Sequence, residues 1–205
     1  MSLDYLIEGM IIGFSIAAPV GPIGVLCVRR TLAKGRLFGF VSGLGAATAD
    51  AVYGCVAALG LTFISNVLIS QQQWTRLAGG LFLCWLGVRT FTAEPADGDA
   101  SPTENRLAGA FGSTFVLTLT NPMTILAFGA IFAGLGVAST GGDYVSSGLL
   151  VLGVFLGSSL WWLTLSGTVG VVRSKLDRRA LRWVNRIAGI VIGGFGLLAL
   201  LSLTG

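Results

Sequence analysis

The chain has 205 residues and a net charge of +4, with 54% hydrophobic against only 11% charged residues and a mean hydropathy of +0.84. A globule of this size cannot keep so much apolar surface away from water, so a soluble domain is excluded and a lipid bilayer is the expected solvent. The small positive balance sits in a few short connections, which makes it a matter of membrane topology and leaves no role for nucleic acid.

A hydrocarbon core of about 30 Å takes about 20 apolar residues per helix. Residues 5–28, 38–63, 74–92, 109–137, 144–170 and 183–203 each supply such a run, which predicts an all-α membrane protein with six transmembrane helices. The period-two alternation of a barrel strand is too weak for an outer-membrane barrel.

The first run opens with Asp4 and Glu8 and no basic residue, so it reads as a retained helix and not as a cleaved signal peptide. Pro19, Gly21 and Pro22 interrupt it. Proline removes an amide and unseats the carbonyl four residues back, so the break frees carbonyls at Ser15 and Ala18 and starts a new helix at Pro22. Arg29, Arg30, Lys34 and Arg36 follow. Arg89 and Arg106 flank the connection after the third run, and Arg173, Lys175, Arg178, Arg179 and Arg182 the one after the fifth. The connections after the second and fourth runs carry none, with Arg76 counted in the third helix. Cytoplasmic loops collect Lys and Arg, so both termini are expected outside.

Asp50 lies midway along the second run and is the only acidic residue deep in any of them. A carboxylate there costs about 2.5–3.5 kcal/mol on insertion scales, so it needs a compensating role. It can pair with a substrate amine or carry a proton. Burial favours its neutral form and a bound cation its charged form, so exchange of an amine for a proton is a natural coupling. A structural alternative is a hydrogen bond to Tyr53 or to a hydroxyl on another helix.

Residues 94–105, with Pro95, Pro102, Asp97, Asp99 and Glu104, form the one long polar stretch and read as a linker. The expected division is a first three-helix repeat at 1–93, a cytoplasmic linker at 94–108 and a second repeat at 109–205. In the fourth run Asn121-Pro122 breaks the helix as Gly21-Pro22 breaks the first. Asparagine at a helix start accepts amide hydrogen bonds and proline suits the first helical position, so a helix is expected to begin there within the membrane. Both starts present free amides and the positive end of a helix dipole, which suit a carboxylate, and the Thr118 carbonyl is freed for an ammonium.

The halves correspond in order. At an offset of 100, Gly9 and Pro22 meet Gly109 and Pro122; at 108, Gly45, Ala49, Asp50 and Tyr53 meet Gly153, Gly157, Ser158 and Trp161; at 110, Arg76, Ala78 and Gly79 meet Arg186, Ala188 and Gly189. Three spans per half make the repeats inverted, the plan of many secondary transporters. Ser158 occupies the place in the second half that matches Asp50, which makes the site asymmetric and favours a single positive charge. Tyr53, Trp161 and Trp162 either stack on a cation or pack the bundle. Glycines four apart, at 9 and 13, 39 and 43, 153 and 157, and 189 and 193, serve close helix packing or pairing into a homodimer.

Cys27, Cys55 and Cys84 are widely spaced in apolar settings and there is no histidine. A thiol relay would want a cysteine after each break, but Cys27 has Ala127 as its counterpart. A soft-metal exporter requires the three thiols to converge with Asp50. With no Ser/His/Asp set, paired carboxylates or phosphate-cradling loop, an enzyme is not expected and no cofactor is implied.

The Pro19, Gly21, Pro22 break, the small-residue run to Asp50, the Asn121-Pro122 pair and the Gly157, Ser158, Trp161, Trp162 cluster resemble the LysE (lysine exporter) family, which includes homoserine and threonine exporters. Ala49 departs from the glycine many relatives carry before the aspartate. The resemblance implies a multi-pass exporter of amino acids in the bacterial inner membrane, driven by the proton-motive force. The expected substrate site is therefore Pro19, Gly21, Pro22, Asp50, Tyr53, Asn121, Pro122, Ser158 and Trp161, with Asp50 also coupling protons and no metal bound. A cadmium-like cation exporter is the alternative.

Overall fold

The structure, a computed structural model, describes residues 2–19, 21–58, 72–94, 104–121, 124–125, 127–128, 144–173 and 176–203. These residues form seven helices and no strand: α1 (Ser2–Ala17), α2 (Pro22–Lys34), α3 (Arg36–Ala58), α4 (Gln72–Phe91), α5 (Glu104–Leu119), α6 (Tyr144–Arg173) and α7 (Arg178–Leu201). Residues 124, 125, 127 and 128 are helical as well. By length and composition α6 and α7 can each cross a membrane, and α1 and α2 together make a third candidate span, bent by 81° at their junction.

That bend is the proline break. Pro22 takes the first position of α2, where its missing amide costs nothing, and Gly21 precedes it in extended conformation with its carbonyl accepting from Val25 N–H at 3.1 Å. At its other end α2 stops at Gly35, whose φ of 101° lies in the region L-residues avoid; its amide donates to the Thr31 carbonyl and the chain reverses at once into α3. Asp177 caps α7 by accepting from Ala180 N–H at 2.7 Å. Helix α5 begins at Glu104, inside the stretch expected as linker, where Glu104, Arg106, Leu107 and Ala108 are good helix formers.

The helices pair through their small residues. Helix α1 lies along α6, and a Cβ placed on Gly9 or Gly13 would run into the Leu150 or Val154 carbonyl, while one on Gly153 or Gly157 would strike the Leu6 or Met10 carbonyl. Helix α4 lies along α7 in the same way, with Gly80 and Gly87 against Gly196, Gly193 and Gly189. Helix α3 crosses both α5 and α6, and α2 fills the space left between α3, α6 and α7. In lipid there is no hydrophobic drive between helices, so contact of backbone on backbone holds the bundle together. Branched aliphatic side chains that would form the core of a soluble protein are instead turned outward: Leu3, Ile11, Leu81, Val145, Ile190 and Leu198 are all more than half exposed.

Polar side chains gather at the end of the bundle where the basic residues lie. Arg30 Nη1 donates to Ser42 Oγ on α3 at 2.9 Å and to Thr114 Oγ1 on α5 at 2.8 Å. Arg29 Nε donates to Asn185 Oδ1 on α7 at 3.0 Å, and Asn185 Nδ2 donates in turn to the Ala93 carbonyl at 2.9 Å. Arg173, at the end of α6, donates from Nε to the Leu32 carbonyl at 3.2 Å.

Candidate functional site

The two helix breaks come to the same place. The end of α1 and the start of α2 contribute Ala17, Pro19, Gly21 and Pro22 to the wall of a cavity of about 280 Å³. Thr118 and Asn121, at the end of α5, with Thr124 and Ala127 beyond it, line the facing wall. Asp50 on α3 and Trp162 on α6 complete it, with Phe195 of α7 on the remaining side. A segment near residue 20 and one near residue 120 thus share one cavity.

Each polar group reaches the cavity for a local reason. Asp50 is 3% exposed and held by a chain of two hydrogen bonds: Trp162 Nε1 donates to Ser158 Oγ at 3.2 Å, and Ser158 Oγ donates to Asp50 Oδ2 at 2.7 Å. The spacing of four residues stacks Trp162 and Ser158 on one face of α6, which makes the chain possible. Asp50 Oδ1 carries no hydrogen bond among the described residues, so a lone acceptor is left beside the cavity. At the second break the Asn121 carbonyl accepts from Thr124 N–H at 3.1 Å and Ile125 N–H at 3.2 Å, the bonding of a helix start, and Asn121 Nδ2 donates to Thr124 Oγ1 at 3.0 Å. The Thr118 carbonyl, expected to be freed, accepts from Asn121 N–H at 3.2 Å, because the chain closes a tight turn before the break.

Of the expected site residues, Pro19, Gly21, Pro22, Asp50 and Asn121 line the cavity. Pro122 lies outside the described residues. Three others sit behind or beside the wall. Ser158 is fully buried and touches the cavity only through Asp50. Tyr53 donates its hydroxyl to the Leu119 carbonyl at 2.6 Å and so ties α3 to the end of α5; the Asp50 partner is the hydroxyl on another helix instead. Trp161 meets Phe14 of α1 edge to face, with ring centroids 5.3 Å apart, and its neighbour Trp162 is the tryptophan that faces the cavity. Two adjacent helical positions are separated by about 100°, so only one of the pair can face inward. Thr124 and Phe195 were absent from the expected set, and Thr118 entered it only through its backbone carbonyl. The threonines lie three residues either side of Asn121, a helical spacing that flags them; Phe195 has no such signal in a run of apolar residues.

The cysteines stay apart. Cys27 is buried, Cys55 is exposed on the opposite side of α3 from the core, and the Cys84 thiol lies 3.9 Å from the Gly193 carbonyl. Among the described residues no three His, Cys, Asp or Glu side chains come together in a way that holds a metal ion.

A narrow apolar cavity at two paired helix breaks, with one buried carboxylate and the Asn121 amide, is suited to a small zwitterion held at both ends. The chain is similar to several known proteins over nearly its whole length. The relative named "Putative amino acid efflux protein YcgF" of Bacillus subtilis (strain 168) is 28% identical over 199 residues, covering 95% of this chain and 94% of its own length. The threonine efflux protein of Escherichia coli (strain K12) is 23% identical over 208 residues, with 98% and 100% covered. The leucine efflux protein of Klebsiella pneumoniae is 26% identical over 197 residues, with 94% and 91% covered. No solved structure matches the chain. The family model described as "LysE type translocator" matches residues 14–203, and with that match over nearly the whole chain this membrane protein belongs to the LysE family of translocators.

Proposed function

We propose that the protein exports small amino acids or close analogues from the cytoplasm across the bacterial inner membrane in exchange for protons, working by alternating access between two inverted halves. The observation that carries this reading is the convergence of both helix breaks and Asp50 on one cavity. The amide-rich starts at Gly21-Pro22 and Asn121 would hold the substrate carboxylate, and Asp50 Oδ1 would take the ammonium or, when the site is empty, a proton. Relatives named for threonine and leucine efflux support an uncharged side chain, as does a cavity whose described wall offers one carboxylate and no cation.

The packing supports the inverted plan. Asp50 and Ser158, counterparts at an offset of 108, are hydrogen-bonded to one another, as two repeat mates would be on a pseudo-two-fold axis. The pairing of α1 with α6 has its mirror in the pairing of α5 with α3, the same two helices exchanged between halves. The basic end of the bundle, with Arg29, Arg30, Arg89, Arg106 and Arg173, would face the cytoplasm.

The test is uptake of a labelled amino-acid panel into inside-out vesicles under an imposed proton gradient, beside Asp50→Asn. Saturable uptake that stops with a protonophore and is lost in the variant is expected. Equal uptake by parent and variant would remove Asp50 from the mechanism, and no uptake of any amino acid would remove the export reading.

A further inference from the structure

Arg30 is the side chain that the site leaves unused. Its guanidinium is partly buried and makes four hydrogen bonds: Nη1 to Ser42 Oγ at 2.9 Å, to the Ala110 carbonyl at 2.9 Å and to Thr114 Oγ1 at 2.8 Å, and Nη2 to Ser113 Oγ at 2.8 Å. Every one of these partners is neutral, and among the described residues no carboxylate pairs with Arg30 or Arg29. A cation drawn partly out of water normally sits against an anion, because neutral dipoles only partly replace its hydration.

Its place along the bundle gives the charge a use. Ser42 on α3 precedes the cavity-lining Ala46 by one turn, and Thr114 on α5 precedes the cavity-lining Thr118 by one turn. On α2 itself, Arg30 follows the cavity-lining Gly24 by six residues, about 9 Å along the axis. On all three helices the order is basic end, then the Arg30 cluster, then the cavity. Arg30 therefore ties α2 to α3 and α5 between the cavity and the end that carries Arg106 and Lys34. Beside it, Arg29 ties the same turn of α2 to α7 through Asn185.

We propose that Arg30 is the gate on the basic side of the cavity and the first carboxylate-binding group a substrate meets: its guanidinium leaves Ser42, Ser113 and Thr114 for the carboxylate of an entering amino acid, and the release of α3 and α5 opens the cavity to that side. The planar fork of arginine matches a carboxylate with two parallel N–H···O bonds, which neutral hydroxyls cannot equal. The substrate thus supplies the anion that the resting cluster lacks, and opening is coupled to its arrival. The carboxylate half of this proposal rests on the export reading above; the gate does not.

Two readouts separate them. In protein with Cys27, Cys55 and Cys84 replaced by Ala and a reporter thiol at Ala127→Cys on the cavity wall, a membrane-impermeant maleimide is applied to inside-out vesicles. Arg30→Gln is expected to raise the labelling rate about tenfold, since it loses most of the charge-assisted bonds, with Arg30→Lys between it and the parent. A Ser113→Ala/Thr114→Ala pair, which keeps the arginine and removes two acceptors, moves labelling the same way to a smaller extent and decides the matter if Arg30→Gln fails to insert. Labelling needs no transported substrate, so a parent that carries no amino acid would sink the export reading and leave the gate measurable. The second readout is uptake: Arg30→Gln is expected to raise KM about tenfold for an amino acid while leaving KM for the corresponding amino-acid amide unchanged. Parent-like labelling in these variants overturns the gate, and a KM for the amino acid equal to the parent's overturns the carboxylate role.

Discussion

Asp50 is fixed by its neighbours before any substrate arrives. The hydroxyl of Ser158 occupies one carboxylate oxygen and the indole N–H of Trp162 orients that hydroxyl, so the remaining oxygen has one position against the cavity. Asp50→Asn keeps the shape and the hydrogen-bonding capacity of the side chain but can neither hold a proton nor balance an ammonium. Gradient-driven uptake in vesicles is expected to fall to background in this variant, with the elution profile in detergent unchanged. Ser158→Ala is a milder lesion. A hydrogen bond to an ionised group contributes about 1.5–3 kcal/mol, so its loss is expected to lower uptake about tenfold, and Ser158→Thr, which restores a hydroxyl, should recover most of it. Uptake at the parent rate in Ser158→Ala would show that the carboxylate needs no such support. That Asp50 stands out was legible in the chain, because a lone acid in an apolar run is conspicuous, and the structure places it on the cavity wall. Its partner was legible only as a repeat mate, since spacing does not say whether two such residues touch.

At the level of the helices, the glycines do most of the packing. The four-residue spacing at 9 and 13 and at 153 and 157 was visible in the sequence, and the structure brings these two pairs against each other along the contact of α1 with α6. Spacing alone does not choose among four such pairs, or between contacts within one chain and between two copies. Gly13→Val would push a side chain into the Val154 backbone, which cannot give way as a flexible side chain can. The expected loss is about 1–3 kcal/mol, read as a lowered unfolding midpoint in detergent. Gly148→Ala on the same α6 meets nothing within 4 Å, and is expected to hold or raise the midpoint, since alanine favours the helix by about 0.5–1 kcal/mol over glycine. Equal effects of the two substitutions would contradict packing as the cause. The break before α2 was legible in full, because proline at a first helical turn is a local rule. The tryptophan facing the cavity was not: Trp161 and Trp162 are neighbours in the chain, and the rotation of α6 against α1 selects between them.

For the whole molecule, the arrangement of charge predicts orientation. A phosphatase fused after the C-terminal residue is expected to be active only outside the cytoplasm, and one fused after Gly35, between α2 and α3, is expected to be silent. Activity at the second site and silence at the first would invert the molecule and with it the direction of transport. Under the alternating access proposed above, the Arg29 and Arg30 ties would form and break as a unit. Both arise from one turn of α2, so movement of this short helix would release α3, α5 and α7 together.

The amino-acid sequence by itself determined the solvent, the helical class, the places where helices break and the one acid set deep in an apolar run. Each of these follows from a local property: apolar length against bilayer thickness, the missing amide of proline, the cost of a carboxylate in hydrocarbon. Only the tertiary structure decided that the two breaks share one cavity, that Ser158 and not Tyr53 holds Asp50, that the cysteines stay apart among the described residues, and that Arg30 ties α2 to α3 and α5 on the basic side of the cavity. These depend on how helices far apart in the chain turn and slide against one another. In a bundle where nearly every residue is apolar or small, that choice rests on close contacts of backbone with backbone, which leave little trace in composition or spacing.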